Sequence, residues 1–388
     1  MTYITSYSPQ NVAFSHGEGH WLWDQSGKKY FDALCGIAVT SLGHNHPRIT
    51  SVIQEQAAKL LHTSNVFQIP EQQALAEKLL ALSGMEQAFF NNSGAEANET
   101  AIKIARLYGH QKGIDTPTII VMEKAFHGRT MATLTASANR KGQAGFEPLL
   151  PGFVRAPFND IEAIQAIAAN RNDIVAVMME PIQGEGGINP PDDGFISELR
   201  NICNDKEWLM ILDEIQTGVG RTGKLYDYMH HGITPDILTS AKALGNGIPL
   251  GACLMSGPAC DLLQPGNHGS TFGGNPLACK VGHTVLSIIE EEELAENAHT
   301  MGENLRHELI SKLCSQPEIK SIRGKGLMIG IELDKPCRDI MPIGIEEGIL
   351  FNVTAEKVIR LLPPLTINES DVEVICERLA KTIARYYE

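Results

Sequence analysis

Lys242 stands at the end of one short apolar run, Asp236-Ile-Leu-Thr-Ser-Ala241, and Asp213 at the end of the preceding one, Leu209-Met-Ile-Leu212. A lysine at a buried strand end is costly to keep charged, so burial lowers its pKa and makes it a nucleophile. Taken alone, such a lysine reads more readily as an exposed loop residue; the aspartate changes that. Pyridoxal phosphate requires a lysine that can condense with its aldehyde. It also requires an anion that keeps its pyridine nitrogen protonated, so that the ring can accept electrons. Lys242 and Asp213 form that pair.

A phosphate needs backbone N–H donors and small residues. Ser93-Gly94-Ala95 opens a helical stretch beginning near Glu96, and a helix start offers free N–H groups with partial positive charge; an ordinary helix cap has the same appearance. Phe126 follows the next apolar run and could stack on a flat ring, or simply belong to the core. Gly218-x-Gly220-x-x-Gly223 has the spacing of a dinucleotide loop. Such a loop opens directly into a helix, and the next strand ends in an acid; here the next strand ends in Lys242, so that reading is set aside. His44 and His46 have no cysteine or carboxylate at ligand spacing, and no metal is expected.

The elements that must position these residues read as follows. Gly17 to Asp32 resembles two short strands joined by an Asp-x-x-Gly turn. Apolar residues at helical spacing follow Arg48 and again follow Pro70, and Ala101, Ile104, Ala105 and Tyr108 form one buried helix face. Gln87–Phe90, Thr118–Met122, Ile174–Met179, Leu209–Leu212 and Asp236–Ala241 read as buried strands. Strands alternating with helices predict an α/β fold with a mainly parallel sheet and helices on both faces, and the unusual polar residues fall at strand ends, where such sheets bind ligands. Past about residue 285 the pattern changes. The acidic run Glu290–Glu293 reads as the solvated face of a long helix, Ile322–Leu333 as strand with glycine bends, and Ser370-x-x-Glu373 as the capping box of a final helix. The expected division is an N-terminal segment 1–48, a large cofactor-binding domain 49–285 and a smaller α+β domain 286–388.

Hydrophobic residues make up 43% and charged residues 20% of the chain, the balance of a globular protein with a sizeable core. A formal net charge of −14 argues against nucleic acid or an anionic membrane as partner. The eight cysteines are scattered without a Cys-x-x-Cys pair, as expected of reduced thiols in a cytoplasmic protein. The opening Met1-Thr-Tyr-Ile-Thr-Ser lacks the basic and apolar regions of a leader, and no apolar run has membrane-spanning length.

The stretches Asn92–Glu99, Phe126–Thr130, Glu180–Gly186, Leu212–Gly218, Ala241–Gly245 and Ser270–Pro276, in that order, resemble the class III (ω-amino acid) aminotransferases, nearest to their acetylornithine branch. The resemblance runs from Trp21 to Leu365. It implies fold type I of the pyridoxal phosphate enzymes and a homodimer. Lys242 would hold the cofactor and shuttle a proton, Asp213 would pair with the pyridine nitrogen, and Gln216 would reach the ring hydroxyl. Ser93, Gly94 and Ala95 would bind the phosphate, joined by Thr271 from the other subunit, and Phe126 would stack on the ring. Arg129 would clamp the α-carboxylate of the ω-amino acid and Arg360 that of glutamate or 2-oxoglutarate, with Glu185 masking Arg360 in the first half-reaction. Ile37, where ornithine aminotransferases carry a tyrosine, suits an acylated α-nitrogen. The implied activity moves the ω-amino group of N-acetylornithine to 2-oxoglutarate, giving N-acetylglutamate 5-semialdehyde and glutamate, in arginine biosynthesis. Succinyldiaminopimelate, succinylornithine, ornithine and 4-aminobutyrate are alternative donors. A nicotinamide-dependent dehydrogenase and a catalytically silent binding protein are the readings from other classes.

Overall fold

The computed structural model describes residue 4 and residues 6–388; Met1-Thr-Tyr and Thr5, part of the stretch read above for a leader, lie outside the described residues. At the centre is a seven-stranded sheet with the strand order Gln87–Asn91, Gly251–Met255, Ile237–Ser240, Leu209–Asp213, Ile174–Met179, Thr118–Met122 and Phe153–Ala156. Gly251–Met255 runs antiparallel to both neighbours, and the remaining pairings are parallel.

Both faces of this sheet are covered, which is why its strands read as continuous apolar runs. Successive side chains on a strand point to opposite faces. Met210 and Leu212 therefore enter one core, with Leu75 and Leu79 of helix Pro70–Ser83 and Val281 and Val285 of helix Pro276–Glu291. Leu209 and Ile211 enter the other, with Ala101, Ile104 and Ala105 of helix Gly94–Gln111. Each such fully buried aliphatic side chain contributes roughly 1.5–3 kcal/mol.

The strands expected in this sheet stand within a residue of their predicted ends, and two further ones, Phe153–Ala156 and Gly251–Met255, join them; the strand expected over Ile322–Leu333 begins at Ile319 and divides into Ile319–Lys325 and Met328–Leu333. The N-terminal region holds three strands, Phe14–Glu18, Trp21–Asp24 and Lys29–Asp32, and the last pairs with Ile349–Leu350 far along the chain. The Asp-x-x-Gly turn is present: Asp24 Oδ1 accepts from Ser26 N at 2.8 Å and Lys28 N at 3.0 Å. The C-terminal part builds a four-stranded antiparallel sheet in the order Ile319–Lys325, Met328–Leu333, Val358–Leu361, Asn352–Thr354.

Particular expectations at the C-terminal end are corrected. The acidic run Glu290–Glu293 is exposed, but it spans a break between helices Pro276–Glu291 and Leu294–Leu313, with Glu293 at φ +50°. The final helix, Glu369–Tyr387, is capped by Asn368 rather than Ser370. Asn368 Oδ1 accepts from Asp371 N at 3.2 Å, and Asp371 Oδ2 accepts from Asn368 N at 3.0 Å. An Asn–Asp pair thus plays the reciprocal role read into Ser370 and Glu373, two residues earlier. Asn368→Ala should lower unfolding stability by ~1 kcal/mol, and Ser370→Ala by no more than about 0.5 kcal/mol. Urea unfolding midpoints measure both, and equal losses would contradict this cap.

Candidate active site

The strand alternation that buries Leu209 and Ile211 aims Asp213 at the same face, toward the start of helix Gly94–Gln111. Asp213 is 4% exposed and accepts donors on both oxygens. Oδ2 accepts from Asn98 Nδ2 at 2.7 Å and meets His127 Nδ1 at 2.8 Å; Oδ1 accepts from Ile215 N at 3.1 Å. A carboxylate accepts only, so His127 carries its proton on Nδ1 here; its Nε2 is buried without a partner. Asn98 is oriented in turn by Thr239, whose Oγ1 donates to Asn98 Oδ1 at 2.7 Å, and by the His127 carbonyl, which accepts from Nδ2 at 2.8 Å.

Around Asp213 opens a cavity of about 400 Å³ whose lining includes Ser93, Gly94, Ala95, Phe126, Arg129, Gln216 and Lys242. Ser93 caps its helix, Oγ accepting from Glu96 N at 3.2 Å. The first-turn N–H groups of Gly94 and Ala95 have no acceptor within the helix and border the cavity. Phe126 forms a wall, with the Arg129 guanidinium 4.7 Å above its ring. Lys242, partly exposed to the cavity, follows strand Ile237–Ser240 with φ +47°, a left-handed conformation costly for a side-chain-bearing residue. Burial lowers its amine to about 8; the Arg360 charge adds to this, while Glu185, Asp213 and Glu180 oppose it.

Glu180 also lines the cavity, and burial pushes its carboxyl up to about 7. It pins two loops: Oε2 accepts from Phe126 N at 3.0 Å and Oε1 from Gly184 N at 3.1 Å. A side chain at Gly184 would stand 2.6 Å from Gln216 Oε1, so glycine is what lets this loop pass Gln216.

Behind Gln216 lies Arg360, 0% exposed, on strand Val358–Leu361. Its Nη1 is 2.7 Å from Glu185 Oε1 and donates to Gln216 Oε1 at 3.2 Å; Nε donates to Asn352 Oδ1 at 3.0 Å. Nη2 is buried without a partner. Glu185 itself remains partly exposed.

Of the expected residues, Thr271, Ile37, Glu185 and Arg360 are not among those lining the cavity; the last two stand behind its Gln216 wall. Thr271 is exposed, and Ile37, at φ +67°, packs against the cluster of Ile182, Ile188, Met328 and Leu362. Val39, another apolar residue, lines the cavity instead. Asn98, His127 and Glu180 were quoted within motifs but given no role. Asn98 could have been found, because it lies one turn after Gly94 on the face carrying Ala101 and Ala105. The Gly218–Gly223 loop runs through turns, with no α-helix beginning there, so it lacks the architecture of a dinucleotide site.

The donor set suits pyridoxal phosphate: an amine of lowered pKa, a buried carboxylate, free helix-start N–H groups and an aromatic wall. The aminotransferase class-III family profile matches residues 3–383. The acetylornithine aminotransferase of Nitrosomonas europaea is 52% identical over 385 residues, spanning 99% of this chain and 98% of that protein. The solved ornithine aminotransferase of Toxoplasma gondii is similar with a TM-score of 0.95 at 35% identity, covering 99% of this chain and 93% of its own. The acetylornithine aminotransferase from Elizabethkingia anophelis gives 0.89 at 36% identity, covering 99% and 96%. The chain belongs to the class III aminotransferases.

In the cofactor-free protein, acylation of Lys242 followed by mass spectrometry should reach half its maximal rate near pH 8, since a lowered pKa frees the amine at lower pH. Arg360→Met should move that midpoint upward by removing a neighbouring positive charge. A wild-type midpoint at the ordinary lysine value of about 10.4 would count against the assignment.

Proposed function

We propose that this chain is a pyridoxal-phosphate-dependent acetylornithine aminotransferase of arginine biosynthesis. It passes the ω-amino group of N-acetylornithine to 2-oxoglutarate, giving N-acetylglutamate 5-semialdehyde and glutamate. The observation that carries this reading is the Glu185–Arg360 pair at 2.7 Å beside the Lys242–Asp213 cavity. The choice among donors rests on likeness to acetylornithine aminotransferases at 52% identity and below.

When bound, the cofactor supplies an aldehyde that takes up the amino group and a ring that accepts the electron pair left on the substrate carbon. Lys242 would hold that aldehyde and, once a substrate amine displaces it, move the proton at Nζ to and from the substrate carbon. Asp213, held by Asn98 and His127, would keep the pyridine nitrogen protonated. Gly94 and Ala95 N–H with Ser93 would bind the phosphate, Phe126 would cover the ring, and Gln216 would face its hydroxyl.

One cavity must admit an amine at the ω end of one substrate and at the α position of the other. With Glu185 on Arg360, no second carboxylate clamp is offered, and an ω-amino acid enters with its α-carboxylate on Arg129. A dicarboxylate would displace Glu185, which can turn toward solvent, and also engage the unpaired Nη2 in a two-pronged contact. The exchange keeps a buried guanidinium paired throughout. The apolar lining of Val39, Ile248, Pro249 and Leu250 suits an uncharged acylated α-nitrogen.

The proposal includes a homodimer. Thr271 is exposed and absent from its own chain's cavity, Phe272 next to it is exposed, and so are Val66 and Phe67, which follow Asn65, whose Nδ2 donates to the Ser270 carbonyl at 3.1 Å, as expected of residues covered by a second copy. It includes a cytoplasmic location; among the described residues no helix is long and apolar enough to cross a membrane. The division into 1–48, 49–285 and 286–388 stands as part of the same proposal.

Absorbance decides first. The visible band of the holoenzyme should bleach with N-acetylornithine faster than with succinylornithine, ornithine or 4-aminobutyrate, and a protein indifferent to added cofactor would sink the reading. Lys242→Ala should lose transamination by at least ~10³-fold with the fold retained; turnover near wild type would refute its role. Glu185→Ala should lower the ratio of N-acetylornithine to glutamate half-reaction rates about ten-fold, roughly 1.4 kcal/mol of discrimination. An unchanged ratio would remove the switch.

A further inference from the structure

The glycine-spaced loop Gly218–Gly223 holds no phosphate in this reading, yet it carries a buried arginine. Arg221 is 1% exposed, and among the described residues no carboxylate lies within ion-pair distance of it. Burial pulls its pKa to about 10, so it stays cationic at neutral pH. A buried guanidinium without an anion is expensive unless its donors are satisfied by well-aimed acceptors.

Its Nε is buried with no partner among the described residues, and its two terminal nitrogens find acceptors in separate parts of the chain. Nη2 donates to Ser41 Oγ at 2.9 Å, in the N-terminal segment. Nη1 donates to the Leu327 carbonyl at 3.1 Å, in the turn of the C-terminal hairpin, and to the Pro363 carbonyl just beyond Arg360. The Arg221 carbonyl accepts in return from Leu327 N at 3.0 Å. Ser41 is tied to the same C-terminal segment, its carbonyl accepting from Leu365 N at 2.7 Å. The loop can deliver Arg221 there because Gly220 adopts φ +91° with Leu365 close against it.

The segment from Arg360 to Pro363 is therefore held by the stretch that follows Asp213. Gln216 grips Arg360 Nη1 at 3.2 Å, and Arg221 grips the Pro363 carbonyl. We propose that Arg221 is a positioning residue for the dicarboxylate half-reaction: by anchoring Pro363 to the loop after Asp213, it sets where the Arg360 guanidinium stands relative to the reacting centre. This rests on Arg360 being the partner of the 2-oxoglutarate α-carboxylate. The ω-amino acid half-reaction depends on Arg129 and a masked Arg360, so it tolerates displacement of this segment better. A planar fork serves these divergent acceptors; a lysine ammonium cannot reproduce the arrangement.

The test compares half-reactions of the holoenzyme followed by the cofactor's visible band. Arg221→Lys should raise the 2-oxoglutarate KM about ten-fold while kcat/KM of the ω-amino donor stays within about three-fold. Ser41→Ala, which removes the acceptor of Nη2 and leaves those of Nη1 in place, should shift the same ratio about two-fold. Equal losses in both half-reactions, tracking a fall in melting temperature, would reduce Arg221 to a purely structural residue and overturn the proposal. An unchanged KM for 2-oxoglutarate would do the same. If Arg221→Lys does not fold, Ser41→Ala decides by the same ratio. Should the wild-type protein prefer another ω-donor, only the substrate assignment fails; that donor then replaces N-acetylornithine, and the Arg221 comparison stands unchanged.

Discussion

A carboxylate withdrawn from water at the end of a central strand must be met by donors, and much of this active site follows from meeting that demand at Asp213. Three donors converge on it: Asn98 Nδ2, His127 Nδ1 and Ile215 N. Each sits on an element that also carries another part of the cavity. Asn98 belongs to the helix whose start is Gly94–Ala95, His127 follows Phe126, and Ile215 precedes Gln216. Satisfying one buried charge thereby brings the phosphate-side, ring-side and substrate-side groups to one place. A half-satisfied network there would be more costly than an apolar core.

A second buried charge, Arg360, is handled differently. Asp213 is surrounded by groups of the core, whereas Arg360 is paired with Glu185, a residue partly open to solvent. On the proposed reading, that difference separates a permanent feature from an exchangeable one. Removing Glu185 from the pair costs little solvation, provided another carboxylate replaces it at once. Arg360 Nη2, unpartnered in the Glu185-bound arrangement, gives the replacement more than Glu185 takes from it. The strand pairing of Val358–Leu361 with Met328–Leu333 holds the backbone that carries Arg360.

The strands of the main sheet were legible because burial on both faces leaves short continuous apolar runs such as Ile174–Met179. Phe153–Ala156 escaped because it is a short edge strand that buries less of itself, and Gly251–Met255 because its opening Gly-Ala-Cys has little strand character. The cap of the last helix was misplaced by two residues because Asn368-x-x-Asp371 and Ser370-x-x-Glu373 overlap, and only the backbone decides which side chain meets free N–H groups. The glycine spacing at 218–223 was visible, but not its use. It serves a buried arginine whose acceptors lie at Ser41, Leu327 and Pro363.

What the residues determined by themselves was local chemistry: Lys242 and Asp213 at strand ends and a helix opening at Ser93-Gly94-Ala95. Type and spacing along one strand or one helix turn carry that information, because burial and capping act over a few residues. The tertiary structure alone decided which distant groups meet. Thr239 orients Asn98 across the sheet, Glu180 pins Phe126 to Gly184, and Val39 rather than Ile37 lines the cavity. Those contacts depend on strand order and on left-handed backbone at residues such as Ile37 and Lys242. They are set by how the whole chain packs, and no local pattern encodes them.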